Sequence, residues 1–312
     1  MWITKNRKIF YSISGLLVLA SLASLLVWGL EIGIDFKGGS VIEVRYLETK
    51  PDTEMIRENM SQLAGEIDLG SYVLQSVGET DYSIKSRLVS DKERQMIENA
   101  FSNNGAISTE TKKVNSIGPL IGKEAAQKAL ISIILVILCI VLFITFAFRK
   151  VSTPISGQKR PVQSWKYGLM AILALAHDII IPVGVFSILG HFYSYEVDTL
   201  FVTALLVILG FSIHDTIVVY DRIRENIGDS NKKNDKKSFE MIVGESVKQT
   251  IMRSINTSFT TALALVVLYF LGPEATNHFA LTLILGVIIG TYSSIFIASA
   301  LLVTIEKWQK KA

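Results

Sequence analysis

Asp215 and Arg253 are the residues of this chain best suited to chemistry inside a membrane. Asp215 lies in GFSIHDTIVVYDRIREN (210–226), behind an apolar run at 200–209. Ile217, Val218, Val219 and Tyr220 follow before the charges Asp221, Arg222, Arg224 and Glu225 arrive. A carboxylate that deep in hydrocarbon costs roughly 2.5–3.5 kcal/mol on insertion scales and is kept for ion or proton traffic or for a buried partner. Asp215 precedes Asp221 by six residues, which places it roughly 9 Å inside its helix end by helix rise. Arg253 opens a later apolar stretch. From it Asn256, Thr257, Thr260 and Ala264 recur at i+3, i+4, i+7 and i+11, one small or polar stripe on a single helix face. That stripe is expected to look into a helix bundle, because lipid would leave it unsatisfied.

Two readings of the pair are open. As a proton site, Asp215 binds and releases the proton, and its distance from the Arg253 guanidinium sets whether it is loaded. As a static salt bridge, the pair only fixes helix packing, with Arg253 partly snorkelling to the interface. His177 and Asp178, ahead of Pro182, carry the same ambiguity between packing and transport. Thr282, Gly286, Gly290 and Ser293 share a face whose small residues suit close helix approach.

The elements that must hold these residues are membrane spans. The 312 residues are 50% hydrophobic and 19% charged, with mean hydropathy +0.41, too apolar for an ordinary soluble domain. Residues 10–30 form a first span behind Lys5, Arg7 and Lys8, and their length favours an uncleaved helix over a signal peptide. Five more spans are expected at about 128–148, 167–190, 197–220, 251–271 and 279–304. Lys and Arg number three before the first span, five in loop 149–166 and seven in loop 221–250, with none in loops 191–196 and 272–278. Both termini are therefore expected in the cytoplasm and residues 31–127 outside. Loop 221–250 reads as a charged flexible part, Gly228–Lys237, and an amphipathic segment carrying Phe239, Ile242, Val243 and Val247. That segment is either a helix at the interface or part of a solvated linker.

The polar stretch 31–127 is the size of one small domain. Val41–Tyr46, Tyr72–Val77, Tyr82–Leu88 and Ala106–Val114 read as strands. Met55, Ile56, Met60 and Leu63 mark one helix, and Ser90–Glu93 caps another that ends near Asn104 and Gly105. The order β-α-β-β-α-β is the split βαβ, or ferredoxin-like, arrangement. The expected fold class is thus an α-helical polytopic membrane protein with one small α+β domain.

Other chemistries are disfavoured. Cys139 is the single cysteine, so disulfides and cysteine-based metal sites are excluded. Gly118–Lys123 has three residues between its glycines and Glu124 where a phosphate loop needs Ser or Thr. No zinc-peptidase motif or nucleophile elbow occurs, and the two membrane aspartates lack an intramembrane protease's motif context. The chain is expected not to be an enzyme, to hold no cofactor or metal, and to draw its energy from an ion gradient or a partner.

Five motifs carry a family resemblance: GIDFKGG after the first span, SIGPLIGKE (116–124), LALAHD (173–178), FSIHDTIVVYDRIREN (211–226) and RSINTSFTT (253–261). With them the chain resembles the SecF family of SecD–SecF protein-export subunits, within the resistance-nodulation-division superfamily. The resemblance covers essentially the whole chain. It implies a SecD partner that supplies the other half of the bundle, docking on the Sec channel (SecY–SecE–SecG), preprotein substrates, and a bacterial plasma-membrane location. Nucleic acid has no place in it. It also implies a proton relay at Asp215 and Arg253, around which Asp178, His214, Asn256, Thr257 and Thr260 are expected as a supporting polar membrane face. His214 stands where relatives often carry Asn, and touches only the fine tuning of such a relay. A proton-coupled exporter of small molecules or lipids, and a purely structural subunit, are the competing functions.

Overall fold

The structure, a computed structural model, describes residues 4, 6–148, 164–233, 235, 237–273 and 276–311. It divides into two units, Ile32–Leu130 and the combination of Met1–Glu31 with Ile131–Ala312.

In the first unit, alternation along β1 (Gly39–Tyr46) puts Ile42, Val44 and Tyr46 on one face, all at most 2% exposed. Helix periodicity lays Ile56, Met60 and Leu63 of α3 (Thr53–Glu66) and Ile97 and Phe101 of α4 (Asp91–Phe101) over that face. The Ser90 side chain accepts from the Glu93 amide, and the Glu93 carboxylate accepts from the Ser90 amide at 2.7 Å, so both ends of the capping box are closed. With β2 (Val73–Val77), β3 (Asp81–Ser86) and β4 (Thr109–Ile117), the sheet order is β2-β3-β1-β4 with every pair antiparallel. That is the split βαβ topology. The last strand sits later than its expected 106–114, because Asn103, Asn104 and Gly105 turn with positive φ before it starts.

A four-residue helix α2 (Ile34–Lys37) was not foreseen from the glycine-rich GIDFKGG. Gly38 (φ 78°) and Gly39 (φ 133°) end it. A Cβ on Gly38 would lie 2.6 Å from Pro119 Cα, and one on Gly122 2.8 Å from the Gly38 nitrogen. The two glycine motifs are therefore one contact, in which backbone passes backbone.

The second unit is a helical bundle. Six helices among the described residues are long and apolar enough to cross a membrane. They are α1 (Arg7–Val27), α5 (Pro119–Ala147), α6 (Ser164–Tyr193), α7 (Thr199–Lys232), α8 (Phe239–Leu271), and a last span in three parts. Those parts are α9 (Asn277–Ser293), a π turn (Ser294–Ala298) and α10 (Ser299–Lys311). Glycines set the spacing. A Cβ on Gly184 of α6 would fall 2.2 Å from Ser21 Cβ of α1, and one on Gly286 of α9 2.2 Å from Ile208 of α7. Phe148, Tyr167 and Tyr220 stack edge and face at 5.5–5.9 Å and tie α5, α6 and α7 together.

Loop 221–250 is mostly helix, and of the expected flexible part Gly228–Lys237 the residues up to Lys232 belong to α7, while Asn234 and Lys236 lie outside the described residues. α7 continues to Lys232 because Ile223 and Ile227 stay buried on its inner face, while Arg222–Glu225 and Arg224–Asp221 pair at i,i+3 on its outer face. Phe239, Ile242, Val243 and Val247 are not an interfacial helix either. They are the buried first turns of α8, packed in the same core as Ile223 and Ile227. Glu240 there binds Arg7 at 3.3 Å and Lys307 at 2.6 Å, which brings the amino-terminal segment, the α7–α8 turn and α10 to one end of the bundle. Of the basic residues expected in loop 149–166, Arg149, Lys150, Lys159 and Arg160 lie outside the described residues, as does Lys5.

Candidate functional site

Asp215 sits midway along α7 and is 2% exposed. Its Oδ2 is buried and makes no hydrogen bond. Ser254 and Ser258, one turn apart on α8, lie against it. The Ser254 hydroxyl is likewise buried and unbonded. Ser258 donates to the Ser254 carbonyl at 2.8 Å and bonds Thr291 of α9, so three helices meet around this carboxylate.

Arg253 is an electrostatic neighbour of Asp215 but forms no ion pair with it. Its side chain is on the exposed face of α8, at a cleft of about 430 Å³ shared with Ile217, Val218, Asp221, Arg222, Glu225 and Gln249. Val218 and Asp221 are one and two turns from Asp215 along α7, so the cleft reaches from the charged end of the helix toward the buried carboxylate. Its wall is ordered by Gln249, which accepts from Arg222 at 2.6 Å and Asn226 at 2.8 Å.

The expected stripe does not look into this chain's bundle. Asn256, Thr257 and Thr260 are exposed with Arg253, their threonine hydroxyls folded back on Arg253 and Asn256 carbonyls at 2.9 and 3.1 Å. The buried face is the one turned by a single residue, Thr250, Ser254 and Ser258. Serine is small enough to let α8 close on α7 and α9, and arginine and asparagine are not. His214 is exposed as well, because consecutive helix residues point about 100° apart and Asp215 takes the inner direction.

Asp178 belongs to a separate cluster from that stripe. It is fully buried. Its Oδ1 is 2.9 Å from His177 Nδ1, and its Oδ2 accepts from Ser293 at 2.6 Å and from Ser212. The sequence reading missed Ser212, Ser254 and Ser258 as partners. The available signal was their spacing, Ser212 one turn before Asp215, Ser254 next to Arg253 and Ser258 one turn beyond Ser254. No group of His, Cys, Asp and Glu suited to a metal occurs among the described residues.

Comparison with known proteins adds the family. The profile described as "Protein export membrane protein SecD/SecF, C-terminal" matches residues 96–156 and 162–308. The chain is 39% identical to a protein translocase subunit SecF of Thermobaculum terrenum, across 99% of this chain and 94% of the relative. It is 33% identical to the corresponding SecF of Sebaldella termitidis, across 98% and 92%. The crystal structure of SecDF, a translocon-associated membrane protein from Thermus thermophilus, superposes with TM-score 0.81 at 29% identity. That match covers 97% of this chain but 38% of the SecDF chain, so this chain spans well under half of that protein. SecDF in its super-membrane-facing form superposes with TM-score 0.67 at 28% identity, over 99% and 39%. With six membrane-spanning helices, one antiparallel α+β unit and near-complete alignment to SecF sequences, the chain belongs to the SecF branch of the SecD/SecF protein-export membrane proteins.

Proposed function

We propose that the chain is an accessory subunit of the Sec protein translocase, paired with a SecD-type half and driven by protons that load and leave Asp215. In this reading the termini are cytoplasmic, the α+β unit lies outside the plasma membrane, and the clients are exported preproteins near the end of translocation. The observation that carries it is the pairing of a buried carboxylate having one unbonded oxygen with an exposed polar stripe on the adjacent helix. The stripe is unsuited to lipid and suited to a second helical half, which would close over Arg253, Asn256, Thr257 and Thr260.

The residues then have distinct roles. Asp215 holds the proton. Arg253, at the cleft rather than in a fixed salt bridge, is free to approach or leave the carboxylate and so to bias its loading. Each elementary charge crossing the membrane supplies ~2.3 kcal/mol per 100 mV, and a reversible Asp215–Arg253 contact turns that into helix movement. No cofactor enters, and chemistry on a substrate is not part of this role.

The test is Asp215→Asn in vesicles containing the SecD-type partner and the Sec channel. Normal co-purification with loss of gradient-stimulated preprotein release is the expected result. Retained stimulation would remove Asp215 from the relay, and loss of the complex would make it a structural residue.

A further inference from the structure

The Asp178 cluster holds a second buried carboxylate that the relay at Asp215 does not use. Every oxygen of Asp178 is engaged, Oδ1 by His177 of its own helix and Oδ2 by Ser212 of α7 and Ser293 of α9. Asp178, Ser212 and Ser293 are each 0% exposed, and His177 is 6% exposed with its Nε2 making no hydrogen bond. An ionised carboxylate accepts at all of its lone pairs, whereas a protonated one must place an O–H against one of its former donors. A proton taken at Oδ2 would force one serine to turn from donor to acceptor and would strip both bonds of their charge assistance, which weakens the tie of α6 to α7 and α9.

Two features make that decision consequential. Ser212 precedes Asp215 by three residues, so the α7 helix that Asp178 grips is the helix that carries the other carboxylate one turn on. On α9, Ser293 grips Asp178 while Thr291, two residues away, bonds Ser258 beside Asp215. The π turn opens at Ser294, directly after Ser293, and such turns are frequent at functional sites. The groups facing Asp178 are few. α6 brings His177, and α9 brings Tyr292, whose ring stacks on His177 at 6.2 Å. α7 brings Ser212 and, a turn further, Asp215. α1 reaches Tyr292 through the Ser14 hydroxyl and the Phe10 carbonyl, and the π turn brings Phe296 against the Tyr292 ring, with the Ser294 hydroxyl donating to the Thr291 carbonyl.

We propose that Asp178 with His177 is a second proton-binding site, a latch that releases α7 and α9 from α6 when it takes up a proton. It adds to the proton reading of Asp215 and can fail independently of it.

Infrared difference spectroscopy of the full chain with its SecD-type partner in lipid, stepped in pH, separates the two. The wild type is expected to show two buried protonated-carboxyl C=O components, with Asp215→Asn deleting one and Asp178→Asn deleting the other. Ser293→Ala and Ser212→Ala, which keep both carboxyls, are expected to move the frequency of the component that Asp178→Asn deletes. A wild-type spectrum unchanged by Asp178→Asn would overturn the latch while leaving Asp215 as it stands. Should Asp178→Asn fail to assemble, components unmoved in both serine variants would overturn it equally.

Discussion

Asp215 of α7 lies against Ser258 of α8 at the point where α9 also meets them. The hydroxyl lies against the carboxylate yet spends its bonds on the Ser254 carbonyl and Thr291, and Asp215 Oδ2 is left open. An open oxygen in a buried place is a poor structural bond and a good place for a proton.

Arg253 is expected to act by charge at a distance that changes. Arg253→Lys should keep assembly and part of the gradient-stimulated release, and Arg253→Ala should keep assembly and lose release at least tenfold. Preprotein release in vesicles with and without a proton gradient measures both. Equal release from the alanine variant and the wild type would place the bias elsewhere.

The exposed stripe is expected to disappear under a partner. Single cysteines at Asn256 and Thr260, in a Cys139→Ser background, should react with a maleimide in the isolated chain and be protected in the complex. A cysteine at Ser258 should be unreactive in both states, since that residue is already buried. Labelling stoichiometry by mass spectrometry reads the result, and undiminished labelling of 256 and 260 in the complex would mean that the partner covers another face.

Helix spacing at glycine should be intolerant of a single methyl. Gly286→Ala meets Ile208 and Gly184→Ala meets the Ser21 backbone, each within 2.5 Å. Overpacking of this kind costs about 1–3 kcal/mol, and Gly184→Ala should cost more, because backbone cannot rotate away. Thermal unfolding in detergent checks the order of the two.

The α+β unit should carry its own acid sensitivity. Asp81 accepts from Arg45 at 3.0 and 3.2 Å, from Lys112 at 2.9 Å and from Thr80 at 2.8 Å. The Arg45 guanidinium foremost, with Lys112 and Thr80, holds its carboxyl well below the usual carboxylate range. A carboxyl lowered on folding stabilises above its unfolded value of about 3.9 and loses that contribution as pH falls through the folded one. Protection factors of β1 and β3 amides should therefore be flat from neutral pH to about 5 and fall below about 4. Asp81→Asn should lower them at neutral pH by about 1–2 kcal/mol, the loss of charge-assisted bonds partly screened by solvent. It should also flatten the acid limb.

Much of this protein was legible from spacing alone. Hydropathy sets six spans because backbone in lipid must bond within its own helix, and that demand is local. Alternation in β1 and the Ser90–Glu93 cap likewise act over a few residues, and the split βαβ order followed from them. The polar stripe from Arg253 to Thr260 was visible for the same reason. What it faces was not, since helical periodicity says which residues share a face and nothing about which neighbour that face meets. Only the packing of α8 against α7 and α9 turned Ser254 and Ser258 inward and left Arg253 outside. The extension of α7 to Lys232 was hidden too, because its charges resemble a linker until Ile223 and Ile227 find the first turns of α8. Asp178 stands furthest from sequence reasoning. Its two serine partners lie 34 and 115 residues away, and contacts closed across such separations belong to the tertiary fold.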